Sequence, residues 1–156
     1  MNLILAIIAC FDKTEKCQPQ PQRIMETVLR FTLSLTFNAK ELHLIPIFAW
    51  KHICLLVKQH QAAPKLLLII VYRPPNSTTD FCHSLTKLID YALSHYGEII
   101  VAGDFNIDLL RKKKSNLSTI FSDAGFTQII KTATRVNDNT STLIYHIYTT
   151  HPNRIV

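Results

Sequence analysis

The sequence predicts a layered α/β domain, and three features after residue 64 carry that prediction. Two continuous apolar runs, at residues 66–71 and 99–102, have the length and composition of strands that are buried on both faces. Between them, apolar residues recur at helical spacing from Phe81 to Tyr96. Shorter helical and strand patterns follow, and the whole order is typical of a sheet packed against helices.

The first 50 residues lack this regularity. Residues 11–23 are polar and contain alternating glutamine and proline, which is typical of a linker. Residues 24–37 predict a helix, 42–50 are apolar, and 52–58 predict a strand. The length of 156 residues fits one ordinary domain. We therefore predict a divergent segment at 1–50 and a single domain at 51–156.

The central strand and helix have clear boundaries. The strand runs from Lys65 to Tyr72, and Pro74-Pro75 ends it because proline cannot donate to a strand ladder. Residues 77–79 are candidate N-caps of the helix, with Asp80 in its first turn. Gly97 is expected to close the helix.

The remaining elements are shorter. A polar, basic loop follows residue 106, and then comes a short helix that Gly125 ends. We expect a strand at 126–130, a loop at 134–140 and a final strand at 143–148. The apolar face of the short helix consists of Leu117, Ile120, Phe121 and Ala124.

The composition narrows the function classes. The net charge of +6 suits an anionic partner such as nucleic acid, although a basic surface without a partner fits it equally well. None of the four cysteines forms a Cys-x-x-Cys pair, so we expect reduced thiols and no zinc site. No segment reaches the roughly 18 apolar residues that a membrane span needs.

Gly103-Asp104-Phe105-Asn106 follows the second buried strand. If the backbone stays extended, the side chains of Asp104 and Asn106 point the same way. A carboxylate beside an amide suits orienting a water against a phosphate and holding Mg²⁺. By itself the tetrapeptide is more typical of a turn.

Tyr72-Arg73-Pro74-Pro75 ends the other buried strand. If the two strands are parallel neighbours, Tyr72 and Asp104 emerge at the same edge of the sheet. A tyrosine hydroxyl and a guanidinium at that edge can bind phosphate oxygens. The alternative is that Tyr72 caps the core and Arg73 lies in solvent.

Together these motifs resemble the endonuclease domain of non-LTR retrotransposons. The resemblance extends over roughly residues 52–150, including 125–130, 132–135 and 141–148. That domain belongs to the endonuclease/exonuclease/phosphatase superfamily, whose members share the apurinic-endonuclease and DNase I type of fold. The resemblance implies part of a DNase I-like layered α/β sandwich, Mg²⁺-dependent hydrolysis of a DNA phosphodiester and a nuclear location.

The resemblance also implies roles for single residues. Tyr72 matches the tyrosine that contacts the scissile phosphate, and Asp104 matches the aspartate that positions or deprotonates the attacking water. Asn106 matches the asparagine that helps to hold the phosphate and the metal-bound site, so Asp104 and Asn106 are the candidate metal residues. The candidate nucleic-acid-binding residues are Arg73, Arg111, Lys112 and Arg135.

The sequence departs from the family pattern at the final strand. There the family usually reads Ser-x-Ile-Asp-His, and this chain has Tyr145 at the position of the aspartate. A phenol cannot replace an acceptor beside a cation. His146, which adjoins that position, is not expected to be catalytic.

Further departures lie at the two ends. The family's closing Ser-Asp-His is expected beyond Val156, and residues 1–50 contain no convincing match to its early asparagine and metal-ligand glutamate. We therefore expect a partial endonuclease domain with impaired catalysis. The alternatives are a non-catalytic fragment that binds nucleic acid or protein, and a transposon remnant without function.

Overall fold

The computed structural model describes residues 52–57, 66–77, 80–111 and 115–154. The predictions for residues 1–50, for Thr78 and Thr79, and for Lys112 lie outside these ranges, so the domain boundary remains a prediction. The helices are α1 (Asp80–His95) and α2 (Asn116–Asp123), and a 3-10 turn spans Pro152–Arg154. The strands are β1 (His52–Val57), β2 (Leu66–Tyr72), β3 (Glu98–Asp104), β4 (Thr127–Gln128), β5 (Arg135–Asn137), β6 (Thr140–Thr142) and β7 (Tyr145–Thr149).

Five of these strands form one mixed sheet in the order β1-β2-β3-β7-β4. Strands β2 and β3 are parallel. Strand β1 pairs antiparallel with β2, and β7 pairs antiparallel with β3. The α/β class and the parallel pairing of the two apolar runs are thus confirmed. Both runs are continuous because β2 and β3 lie inside the sheet and are buried on both faces.

Helices α1 and α2 pack on one face of this sheet. The apolar side of α1 contacts alternate residues of β2 and β3, as expected where side chains alternate across a strand. The core cluster includes Leu67, Ile69, Val71, Phe81, Leu85, Leu88, Ile89, Ile99, Val101, Phe105, Leu117, Phe121 and Tyr148. Neither helix has both the length and the apolar character that a membrane crossing requires.

An aromatic cluster centres on Phe105, the residue directly after β3. Its ring is fully buried and stacks on the ring of His146, with centroids 4.9 Å apart and an interplanar angle of 8°. It meets Phe81, Phe121 and Tyr148 edge-on at 6.4, 6.0 and 5.9 Å. Such contacts stabilise a core beyond the burial of apolar area, so Phe105 anchors the chain where it leaves the sheet.

The ends of the two helices differ. Ser115 caps α2, because its hydroxyl accepts a hydrogen bond from the Ser118 backbone N–H at 3.2 Å. Gly125 follows α2 with a φ of 77°, a left-handed conformation that favours glycine. Gly97 follows α1 but lies outside the left-handed region, so it does not supply the expected glycine cap.

Residues 134–140 were predicted as a loop, and that prediction is wrong. Strands β5 and β6 pair there as an antiparallel hairpin with Asp138 and Asn139 between them. Its side chains are exposed or half-buried and mostly polar, so the apolar alternation that reveals a strand is missing. The predicted strand at 126–130 shortens to two residues, and the last strand begins at Tyr145 instead of Leu143.

Candidate functional site

Three residues lie side by side at the carboxyl ends of β2 and β3. Tyr72 pairs with Asp104 across the parallel strands, and Asp104 pairs with Tyr145 on β7. Paired residues of neighbouring strands project from the same face, so these side chains form a row of one carboxylate between two phenols. Asp104 and Tyr145 are buried, at 6% and 9% exposure, and Tyr72 is half-buried. The strand-end row therefore places Tyr72 and Asp104 at one edge, as predicted.

The hydroxyl of Tyr72 is held in its protonated form. Burial, together with the negative charge of Asp104, raises its pKa above the usual value of a tyrosine. A protonated phenol can donate a hydrogen bond to a phosphate oxygen, whereas a phenolate would repel it.

Asn106 does not continue the extended backbone of β3. Its φ is 49°, in the left-handed region that asparagine tolerates better than most residues, so the condition for parallel side chains fails. Its backbone N–H donates to Asp104 Oδ1 at 2.9 Å, and its side-chain Nδ2 donates to the Arg73 carbonyl oxygen at 2.8 Å. Asn106 therefore ties the end of β3 to the end of β2.

Arg73 completes this tie from the other side. Its backbone N–H donates to the Asp104 carbonyl at 2.8 Å. Its guanidinium donates to the carbonyls of Phe105, at 3.3 Å, and Ser77, at 3.1 Å, and lies 5.5 Å from the centre of the Phe81 ring. The alternative in which Arg73 lies in solvent is therefore wrong, because the side chain is half-buried and bonded. Its contact with nucleic acid remains a prediction.

An open cleft of about 650 Å³ lies beside Asn106. Its lining includes Arg73, Arg111 and Arg135, so the structure brings together three of the four predicted nucleic-acid-binding residues. Tyr72 and Asp104 are outside the cleft lining. Of the motif Gly103-Asp104-Phe105-Asn106, only Asn106 belongs to that lining. The predicted site thus consists of two adjoining parts, the strand-end row and this arginine cleft.

Asp108 organises the wall of the arginine cleft and was not among the residues predicted from the sequence. Its Oδ1 accepts from the backbone N–H groups of Leu110, at 3.1 Å, and Leu143, at 2.9 Å. Its Oδ2 lies 3.6 Å from Arg111 Nε. A signal was present, because an aspartate often bonds the backbone two residues on, as Asp104 also does.

The described residues do not fit the magnesium site that the resemblance implies. Among them, no three histidine, cysteine, aspartate or glutamate side chains come together. Mg²⁺ binds oxygen ligands in near-octahedral geometry. Here Asp104 is buried with one oxygen already bonded, Asn106 donates to Arg73, and Tyr145 stands opposite.

His146 is part of the core. Its Nε2 lies 2.8 Å from the Ile107 carbonyl oxygen and 3.1 Å from that of Leu143, so it links the loop after β3 to the start of β7. Burial lowers its pKa to about 4, although these two carbonyls and the charge of Asp108 act in the opposite direction. The imidazole is therefore neutral at physiological pH.

This buried imidazole predicts an acid-sensitive fold. The folded-state pKa lies below the unfolded value of 6.5, so the unfolded chain binds the proton first and stability falls as the pH drops from 6.5 towards 4. The expected loss is on the order of 3 kcal/mol. Urea unfolding of the wild type and His146→Gln across this range measures it. The difference in free energy of unfolding between the two proteins should shrink as the pH falls. A difference that stays constant with pH would contradict the prediction.

Comparison with solved structures identifies the fold. The endonuclease domain of TRAS1, a telomere-specific non-LTR retrotransposon, matches with a TM-score of 0.50 and 11% identity over 64% of this chain and 50% of that chain. A humanized D. rerio TDP2 with 14 mutations matches with a TM-score of 0.42 and 13% identity over 71% of this chain and 51% of that one. No protein-family model and no curated protein matches the sequence.

At these identities the likeness shows the fold alone. The described part of the chain has a DNase I-like α/β fold. The predicted resemblance to the endonuclease/exonuclease/phosphatase superfamily, and to the non-LTR retrotransposon endonuclease domain, is thereby confirmed at the level of the fold. The chain spans about half the length of the solved structures that it matches.

Proposed function

We propose that the chain is part of a retroelement-type DNA endonuclease that keeps a site for the DNA backbone but is impaired in hydrolysis. One observation carries the proposal. Asp104 occupies the end of a central strand between Tyr72 and Tyr145, so the row holds a single carboxylate where the resembling family has two. A nuclear location, as in the resembling family, belongs to the same proposal.

The surviving residues support phosphodiester chemistry. The carboxylate of Asp104 is an acceptor that can orient a water, and Tyr72 is a donor that can hold a phosphate oxygen. Both lie at the carboxyl edge of the sheet, where α/β proteins commonly bind ligands. This pairing at one edge supports DNA phosphodiester hydrolysis as the ancestral reaction.

Tyr145 is the reason to expect impairment. The side chain of Tyr145 is a bulky, buried phenol with a neutral hydroxyl, whereas the family has the small, anionic carboxylate of an aspartate at this position. Loss of a general acid–base group typically costs about 10²–10⁴-fold in rate. Mg²⁺ would neutralise phosphate charge in an intact relative, but the donor set of the described residues does not fit it, and Mg²⁺ binding by this chain is not part of the proposal.

A non-catalytic nucleic-acid-binding fragment is the second candidate, and the arginine cleft favours it. Three arginines gather there beside the strand-end row. Binding through phosphates would weaken linearly in log salt, since each contact releases counterions. The two candidates agree on DNA as the partner and differ only in whether any cleavage remains.

A plasmid-nicking assay with Mg²⁺ tests the proposed impairment. The wild-type chain is expected to convert no more supercoiled DNA than Asp104→Ala does. Asp90→Ala, which removes an exposed carboxylate from α1, is the matched control. Nicking that persists in Asp90→Ala and disappears in Asp104→Ala would show an active enzyme and contradict the proposed impairment.

A further inference from the structure

We infer that the arginine cleft binds a phosphate group of the DNA backbone directly, without a divalent cation. The inference rests on the proposed function and adds the mode of binding. The described residues do not supply a magnesium site, whereas an arginine-lined cleft adjoins the place where that site would be.

The charge of the cleft favours an anion. Arg73 follows β2, Arg111 lies in the loop after β3, and Arg135 begins β5, so three separate segments contribute a cation. Asp108 is the sole acidic residue in the described lining. Its carboxylate already accepts two backbone N–H groups, which leaves it poorly suited to bind an incoming cation.

The geometry of the donors suits a phosphate. A guanidinium has five N–H donors in a rigid fork, which matches two phosphate oxygens at once. Arg73 uses two of these donors on the carbonyls of Phe105 and Ser77, so its fork is held in one orientation. The side chain of Arg111 is 79% exposed, and its Nε lies 3.6 Å from Asp108 Oδ2.

Neutral donors add to this arrangement. Ser115 and Asn116, at the start of α2, line the same cleft as the arginines. The N-terminal end of a helix carries a partial positive charge and backbone N–H groups that favour an anion. The positive charges of the three arginines repel a divalent cation and so disfavour its binding in the cleft.

The test is DNA binding measured with and without a divalent cation. Fluorescence anisotropy of a short labelled DNA duplex, at matched ionic strength, should give the same Kd for the wild type in Mg²⁺ and in EDTA. Arg111→Gln and Arg135→Gln should each weaken binding and reduce the slope of log Kd against log salt by about 1. Both side chains are exposed, and a thermal melt of each variant checks that the fold is retained.

Arg154→Gln is the matched control. Arg154 is exposed and pairs with Glu98 at 2.7 Å, at the opposite end of β3 from the cleft. Equal weakening by Arg154→Gln would indicate diffuse attraction to a basic surface and overturn the inference. Loss of wild-type binding in EDTA would also overturn it.

These outcomes are separable from those of the proposed function. Nicking by the wild type, together with binding that EDTA leaves unchanged, would overturn the impairment and support the cleft inference. DNA binding that requires Mg²⁺, without nicking, would support the impairment and overturn the cleft inference.

Discussion

Replacing Gly103 with alanine is expected to prevent the chain from folding. Gly103 pairs with Val71 across the parallel strands β2 and β3. A Cβ at Gly103 would overlap the carbonyl oxygen of Val71 and lie 2.8 Å from its carbonyl carbon. Both atoms belong to the backbone of the central strand pair and cannot move without breaking the sheet. We expect a loss of more than about 4 kcal/mol.

Gly97→Ala is the control for this prediction. Among the described residues, no heavy atom other than those of Gly97 and its chain neighbours lies within 4 Å of a Cβ at Gly97. Its φ is outside the left-handed region, so alanine fits there. Soluble yield and urea unfolding of both variants measure the effect. A Gly103→Ala protein that unfolds at the wild-type urea midpoint would contradict the close approach of the two strands.

Replacing Tyr145 with aspartate is expected to lower stability and to create a response to Mg²⁺. The new carboxyl group would be buried opposite Asp104, and both burial and the like charge raise the pKa of such a group. A raised folded-state pKa makes the destabilisation small below the unfolded pKa and larger as the pH rises through the folded one. Near neutral pH we expect a loss of about 2–4 kcal/mol.

Tyr145→Asn separates charge from shape, because asparagine has nearly the same size as aspartate and no charge. Thermal melts of both variants with and without Mg²⁺ measure the effect. Mg²⁺ should raise the Tm of the aspartate variant only, since a cation that binds the folded state stabilises it by mass action. An equal response of the two variants would show that Tyr145 does not determine cation binding.

The central part of the fold could be predicted because the relevant signals are local. A strand that is buried on both faces has a continuous apolar run, and a helix that covers a sheet has an apolar face, as β2, β3 and α1 show. The hairpin β5–β6 could not be predicted, because its polar side chains give no periodic signal. The pairing of β5 with β6 is a matter of backbone hydrogen bonds, which residue types alone do not reveal.

The candidate site was predictable in its members and less so in its geometry. Tyr72 and Asp104 meet at one edge because parallel pairing fixes their register. The left-handed φ of Asn106 and the bonds of the Asp108 carboxylate depend on tertiary contacts with Arg73 and Leu143, which lie more than 30 positions away in the chain. The roles of all these residues in chemistry remain predictions.

The buried ring of Phe105 changes what the survival of a motif can mean. Gly103 lies against the backbone of Val71 and Phe105 is fully buried, so packing constrains two of the four residues in Gly-Asp-Phe-Asn. A lineage that has stopped cutting DNA would still lose stability whenever either residue mutates. Selection for a folded protein would therefore keep half of this signature even without DNA cleavage, so the signature by itself does not establish activity.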